Sequence, residues 1–165
     1  LQRRRGREAK LFSMSTGMVH FAFLQIFIGA LVAGIDAGRN YVDWPLMAGG
    51  FFPPFMFELE PIWRNFFEND GTVQFIHRVV AYLLFIYMII VWRRSRQSGN
   101  DKVRFVFNVV LTATFFQAVL GILTVMYSSP LEIAIFHQLG AIVLWVSIIW
   151  AKFVSGYPPE QFVRS

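Results

Sequence analysis

Cysteine is absent from the chain. That excludes disulfides, thiolate-ligated zinc and cysteine-bound iron–sulfur clusters. Charge is scarce too, at 15% of 165 residues, while 56% are hydrophobic and 18% aromatic. With a mean hydropathy of +0.51, that composition lies outside the range of soluble domains and points to a membrane protein. The net charge of +5 does not indicate nucleic acid, because Lys and Arg gather at the ends of apolar runs. Carboxylates are missing from the middle of those runs; Glu132 stands only at an edge. The sequence opens on Leu1 and a basic stretch rather than on Met and a signal peptide, so its start is expected to lie inside a longer protein.

Four apolar runs are long enough to cross about 30 Å of hydrocarbon as helices. They cover about 14–35, 72–92, 105–127 and 131–154. The expected fold is an all-α membrane protein with four transmembrane helices in an antiparallel bundle. A basic segment, 1–12, precedes the transmembrane domain at 13–155, and a tail, 156–165, follows it. Asp36–Gly71 is a long connector rich in Trp, Phe, Pro and Gly. Its rings suit the head-group layer, so it reads as a structured outer cap with a short interfacial helix near Pro61–Glu68. Twelve of the Lys and Arg residues fall on the side of the termini and the loop after the second span, against Arg39, Arg64 and Arg78 on the other. The positive-inside rule puts both termini in the cytoplasm or its organellar equivalent, with the basic ends on anionic lipid.

Three histidines lie within these runs. His77 is about 7.5 Å from the outer edge of the second span and His137 about 9 Å from that of the fourth, at about 1.5 Å per residue. Polar side chains in hydrocarbon usually mark function, and two at one depth suit axial ligation of an iron porphyrin. Zinc requires more ligands than this level offers. His20 lies about 12 Å or more from that level, and hydrogen bonding to a neighbouring helix is its expected role. Phe75, Phe115, Phe116, Phe136 and the glycines are candidate walls for a heme, although a Phe stripe also serves as plain core. Arg78 and Arg39 are candidate partners for propionates, because a guanidinium fork suits carboxylates; Arg78 adjoins His77, and Arg39 is alternatively a solvated loop residue. Gln74, Gln117 and Gln138 either orient imidazoles or bond between helices, the second being favoured. A weak repeat relates Gln25 and Gly29 of the first span to Gln117 and Gly121 of the third, each pair preceding a histidine-bearing span. It suggests two helix pairs related about the membrane normal.

Several motifs in order carry a resemblance: GALVAGIDAG at 29–38, DWPLM at 43–47, WRNFFEN at 63–69, QFIHR at 74–78 and HQLG at 137–140. Together they resemble the carboxy-terminal half of the heme A synthase family, in its alphaproteobacterial and mitochondrial form. The resemblance implies one half of an eight-helix pseudo-symmetric fold in the bacterial or mitochondrial inner membrane. The family oxidises the methyl group of heme O to the formyl group of heme A, with oxygen from water, for cytochrome oxidase assembly. The resemblance further implies a heme b between His77 and His137, and a partner amino-terminal half that holds the substrate heme and a catalytic glutamate three residues before a histidine. Gln74 occupies that place here, so no catalytic residue is expected in this half and it should not complete the reaction alone. Heme O synthase and an electron donor are further expected partners. The alternative is a stand-alone four-helix cytochrome b passing electrons from a quinone; a transporter or assembly factor with a structural histidine pair is a third.

Overall fold

The structure, a computed structural model, describes residues 8–159. Helix α1 spans Ala9–Gly34, the single turn α2 Asn65–Glu68, α3 Asp70–Ser95, α4 Asp101–Met126 and α5 Leu131–Gly156. The four long helices are each 26 residues and apolar enough to cross a membrane. They pack as a ring in which α1 touches α3 and α5, and α4 touches α3 and α5. Short connections after α3 and α4 make those neighbours antiparallel.

The helices outrun the apolar stretches. Helix α1 starts at Ala9 rather than near Met14, and α4 at Asp101 rather than near Phe105. Asn100 caps α4 by accepting from the backbone N–H groups of Lys102 and Val103. A polar first turn satisfied in this way belongs to the helix although hydropathy assigns it to a loop. Of the basic leading segment, 1–7 lies outside the described residues, as do 160–165 of the tail.

Buried side chains form heptad-like stripes with three- and four-residue steps. They are Leu11, Ser15, Met18 and Ala22 on α1, and Leu84, Met88, Val91 and Ser95 on α3. Val103, Phe107, Val110 and Thr114 continue the core on α4, and Leu144, Ile148, Ala151 and Val154 on α5. All belong to the half of the bundle near the α3–α4 turn. Tyr87 Oη donates to the Met14 carbonyl (3.0 Å) and Trp145 Nε1 to that of Val19 (3.2 Å), tying helices together around it. In the opposite half the stripes continue as Gln25 and Gly29 on α1, Gln117 and Gly121 on α4, and one histidine each on α3 and α5.

The connector 36–69 is ordered by side chains reaching from its own end and from α3. Asn65 accepts from Leu59 N and donates to the Leu59 and Ile62 carbonyls (2.8–2.9 Å). Asn69 caps α3 through Thr72 N and donates to the Phe55 carbonyl. The Asp43 carboxylate accepts from Ala48 N and Gly49 N, beside a single bridge between Met47 and Gly50. A 3-10 turn at Ile62–Arg64 runs straight into α2, which is where the short interfacial helix was expected.

Candidate functional site: two imidazoles above the core

His77 precedes Leu84 by seven residues, and His137 precedes Leu144 by the same interval. Two turns of helix return a side chain to nearly the same face, so both imidazoles project inward in the layer just outside the hydrophobic core. They are half-buried.

Each ring is cradled by the neighbouring helix. A Cβ placed on Gly29 would come 3.1 Å from His77 Cε1, and one on Gly121 would come 2.9 Å from His137 Cε1. One turn earlier on the same helices stand two amides. Gln117 Nε2 donates to the His137 carbonyl (2.6 Å) and lies 3.0 Å from His137 Nδ1. Gln25 Nε2 donates to the His77 carbonyl (3.1 Å) and lies 3.1 and 3.2 Å from Nδ1 and Nε2 of that ring. The two halves of the weak sequence repeat therefore perform equivalent tasks, glycine backing the ring and glutamine clamping it. They differ in one respect: Gln117 Oε1 lies where a Cβ on Gly140 would be 2.5 Å away, whereas Gln25 Oε1 is buried without a hydrogen-bond partner among the described residues.

Two inward-facing imidazoles could hold a heme. No group of three or more His, Asp or Glu among the described residues is placed to hold a metal. Gln117 engages Nδ1 of His137 and leaves Nε2 without a hydrogen bond from the described residues.

Other expected contributors stand elsewhere. Arg78 is 8% exposed and donates through Nη1 to the Asp43 and Leu46 carbonyls and through Nη2 to that of Tyr41 (2.8–3.0 Å). Its Nε has no hydrogen-bond partner among the described residues. Gln74 Nε2 donates to the same Tyr41 carbonyl (3.1 Å), so it pins the connector rather than orienting an imidazole or joining two spans. Arg39 is exposed and pairs with Asp36 (3.5 Å). Phe75 packs on Phe52 (5.3 Å between centroids) and lines, with Trp44, Arg78 and Tyr82, a cavity of about 280 Å³ beneath the connector. Phe115, Phe116 and Phe136 are each more than half exposed, and Phe115 packs edge-on to Phe116. Gln138 is exposed. His20 is exposed and bonds through Nδ1 to the Thr16 carbonyl of its own helix (2.9 Å), not to a neighbouring one, because the carbonyl one turn back is the nearer acceptor. Gln25 was visible in the sequence only as a member of the repeat; its partner was not.

The model of the COX15-CtaA family, described as cytochrome oxidase assembly protein, matches residues 2–149. The heme A synthase of Ruegeria sp. (strain TM1040) is 59% identical over 164 residues, covering 99% of this chain and 43% of that protein. Those of Roseobacter denitrificans (strain ATCC 33942 / OCh 114) and Paracoccus denitrificans (strain Pd 1222) are 56% and 48% identical, each with the same coverage. The chain thus spans less than half the length of the curated relatives it matches. No solved structure matches.

Proposed function

The chain belongs to the COX15-CtaA family of cytochrome oxidase assembly proteins, and from that premise we propose that it is the heme b-binding half of a heme A synthase. The observation that carries this reading is the matched seven-residue step from Leu84 to His77 and from Leu144 to His137, which sets two imidazoles in one layer above a closed core. The whole enzyme would oxidise the methyl group of heme O to the formyl group of heme A, with water as the oxygen source.

In this reading His77 and His137 would hold the heme iron. When bound, the heme would supply electron transfer. Gly29 and Gly121 keep the space beside the rings open, and Gln25 and Gln117 fix their orientation. Arg78 offers its unengaged Nε–H to a propionate, and Arg39 stands as a second outer cation. Gln74 is an amide where catalysis would require an ionisable group, so the reaction belongs to an amino-terminal half of the same protein. Both termini face the cytoplasm or matrix, and heme O synthase and an electron donor complete the set of partners.

Pyridine hemochrome analysis of the purified chain beside His77→Ala and His137→Ala tests the assignment. The expected result is one heme b per chain in the parent and its loss in each variant. Full heme retention in either variant removes that histidine as a ligand.

A further inference from the structure

A second concavity lies on the far side of α3 from His77. Phe75, Arg78 and Tyr82 follow one another at three- and four-residue steps and so share a face of the helix. Phe75 stands two residues from His77, about 200° round the axis, so this face turns away from the imidazoles. It forms one wall of the cavity of about 280 Å³ beneath the connector; Trp44, Phe51 and Phe52 stand on the other. Among these rings the cavity holds one hydroxyl, that of Tyr82. Its oxygen accepts from Trp44 Nε1 (3.0 Å), and none of the described residues accepts its proton. A phenol in that state offers a donor. Leu83, the next residue, opens an apolar groove of about 440 Å³ between α1 and α3, bounded also by Gly17, Phe21, Ile86 and Ile90. From Leu83 to Ile90 the groove runs about 10 Å along the helix, past the middle of the span.

We propose that cavity and groove together bind a lipid-soluble quinone. The flat ring lies among the aromatic side chains, one carbonyl oxygen accepts from Tyr82, and the isoprenoid tail follows the groove. Apolar and aromatic walls with a single placed donor suit such a head group. A phospholipid phosphate would require free cationic N–H groups, and both terminal nitrogens of Arg78 are committed to connector carbonyls. The binding site stands on these residues, while its role rests on the heme A synthase reading above. Converting a methyl group and one water to a formyl group releases four electrons and four protons. The whole enzyme therefore requires an electron acceptor besides any donor. Two quinones take up both and leave as two quinols, which balances the reaction.

The test is photolabelling of the full-length protein in lipid nanodiscs with an azido-ubiquinone, the adducts being mapped by mass spectrometry. Adducts should fall within 44–52 and 75–90, and decylubiquinone should displace the label where oleate does not. Tyr82→Phe removes the donor and keeps the ring, so it should weaken displacement by decylubiquinone about fivefold. Ile86→Trp fills the groove, so it should weaken decylubiquinone while a tail-free benzoquinone competes as before. Both positions are exposed, and circular dichroism equal to the parent's verifies the fold. Adducts that are absent or lie elsewhere overturn the proposal, as they would if an adjoining half of the protein covered this face. Displacement by oleate as effective as by decylubiquinone overturns it too, leaving an acyl-chain groove only, and so does a Tyr82→Phe variant of parental affinity. Labelling requires no turnover, so its failure leaves the heme assignment, read by hemochrome, standing; a parent without hemochrome fails that assignment and leaves the quinone site.

Discussion

Gly121 stands edge-on to the His137 ring, so near that a single methyl group there would lie 2.9 Å from Cε1. On the other helix pair the equivalent clearance, between Gly29 and His77, is 3.1 Å. Helix-to-helix approach this close is possible only without a side chain. The small difference between the two distances ranks the consequences of filling them.

Gly121→Ala should therefore displace its histidine more than Gly29→Ala does. Alanine raises helix propensity by about 1 kcal/mol over glycine, so the helices themselves should persist. The expected outcome is helix content equal to the parent by circular dichroism, with heme per chain reduced in Gly29→Ala and reduced further in Gly121→Ala. Equal and full occupancy in both would show that the rings tolerate the added methyl group.

Arg78 holds three carbonyls of the connector at once. Replacing it with methionine leaves those acceptors without their charged donor, at a local cost of about 3 kcal/mol. Hydrogen exchange in the segment 41–50 should quicken while exchange around Met88 and Ile148 stays slow. Arg78→Lys should not restore protection, because one ammonium cannot span a fork of three carbonyls.

Asp43 gives the connector a dependence on acid. The N–H of Gly49, seconded by that of Ala48, holds its carboxyl below the usual carboxylate range, and the Arg78 charge adds to the effect. A carboxyl whose pKa is lower folded than unfolded stabilises the fold above its unfolded value, near 3.9, and ceases to do so as pH falls through the folded value. The 43–50 turn should thus be unchanged from neutral pH down to about 4 and loosen below it. Asp43→Asn should remove that acid-dependent step, as limited proteolysis across pH would reveal.

The four spans were legible because a bilayer demands about 20 apolar residues wherever a helix crosses. His77 and His137 were legible for a related reason: polar groups in such runs are rare enough to stand out. Gln25 was harder to place, since a glutamine among apolar residues names no partner and only its echo at Gln117 hinted at a shared task. The order of the connector was not legible. It depends on Asn65, Asn69, Gln74 and Arg78 reaching backbone carbonyls, and long-range bonds to main chain leave no periodicity. Of the phenylalanines, Phe136 directly precedes His137 and so points about 100° away from it around the helix.

Gln74 and Arg78 grip the connector from the same helical turn that carries His77. Roof and imidazole are consequently one mechanical part. Any tilt of α3, whether imposed by an adjoining polypeptide or by the surrounding lipid, carries the connector along with the ring, so the two cannot be moved separately.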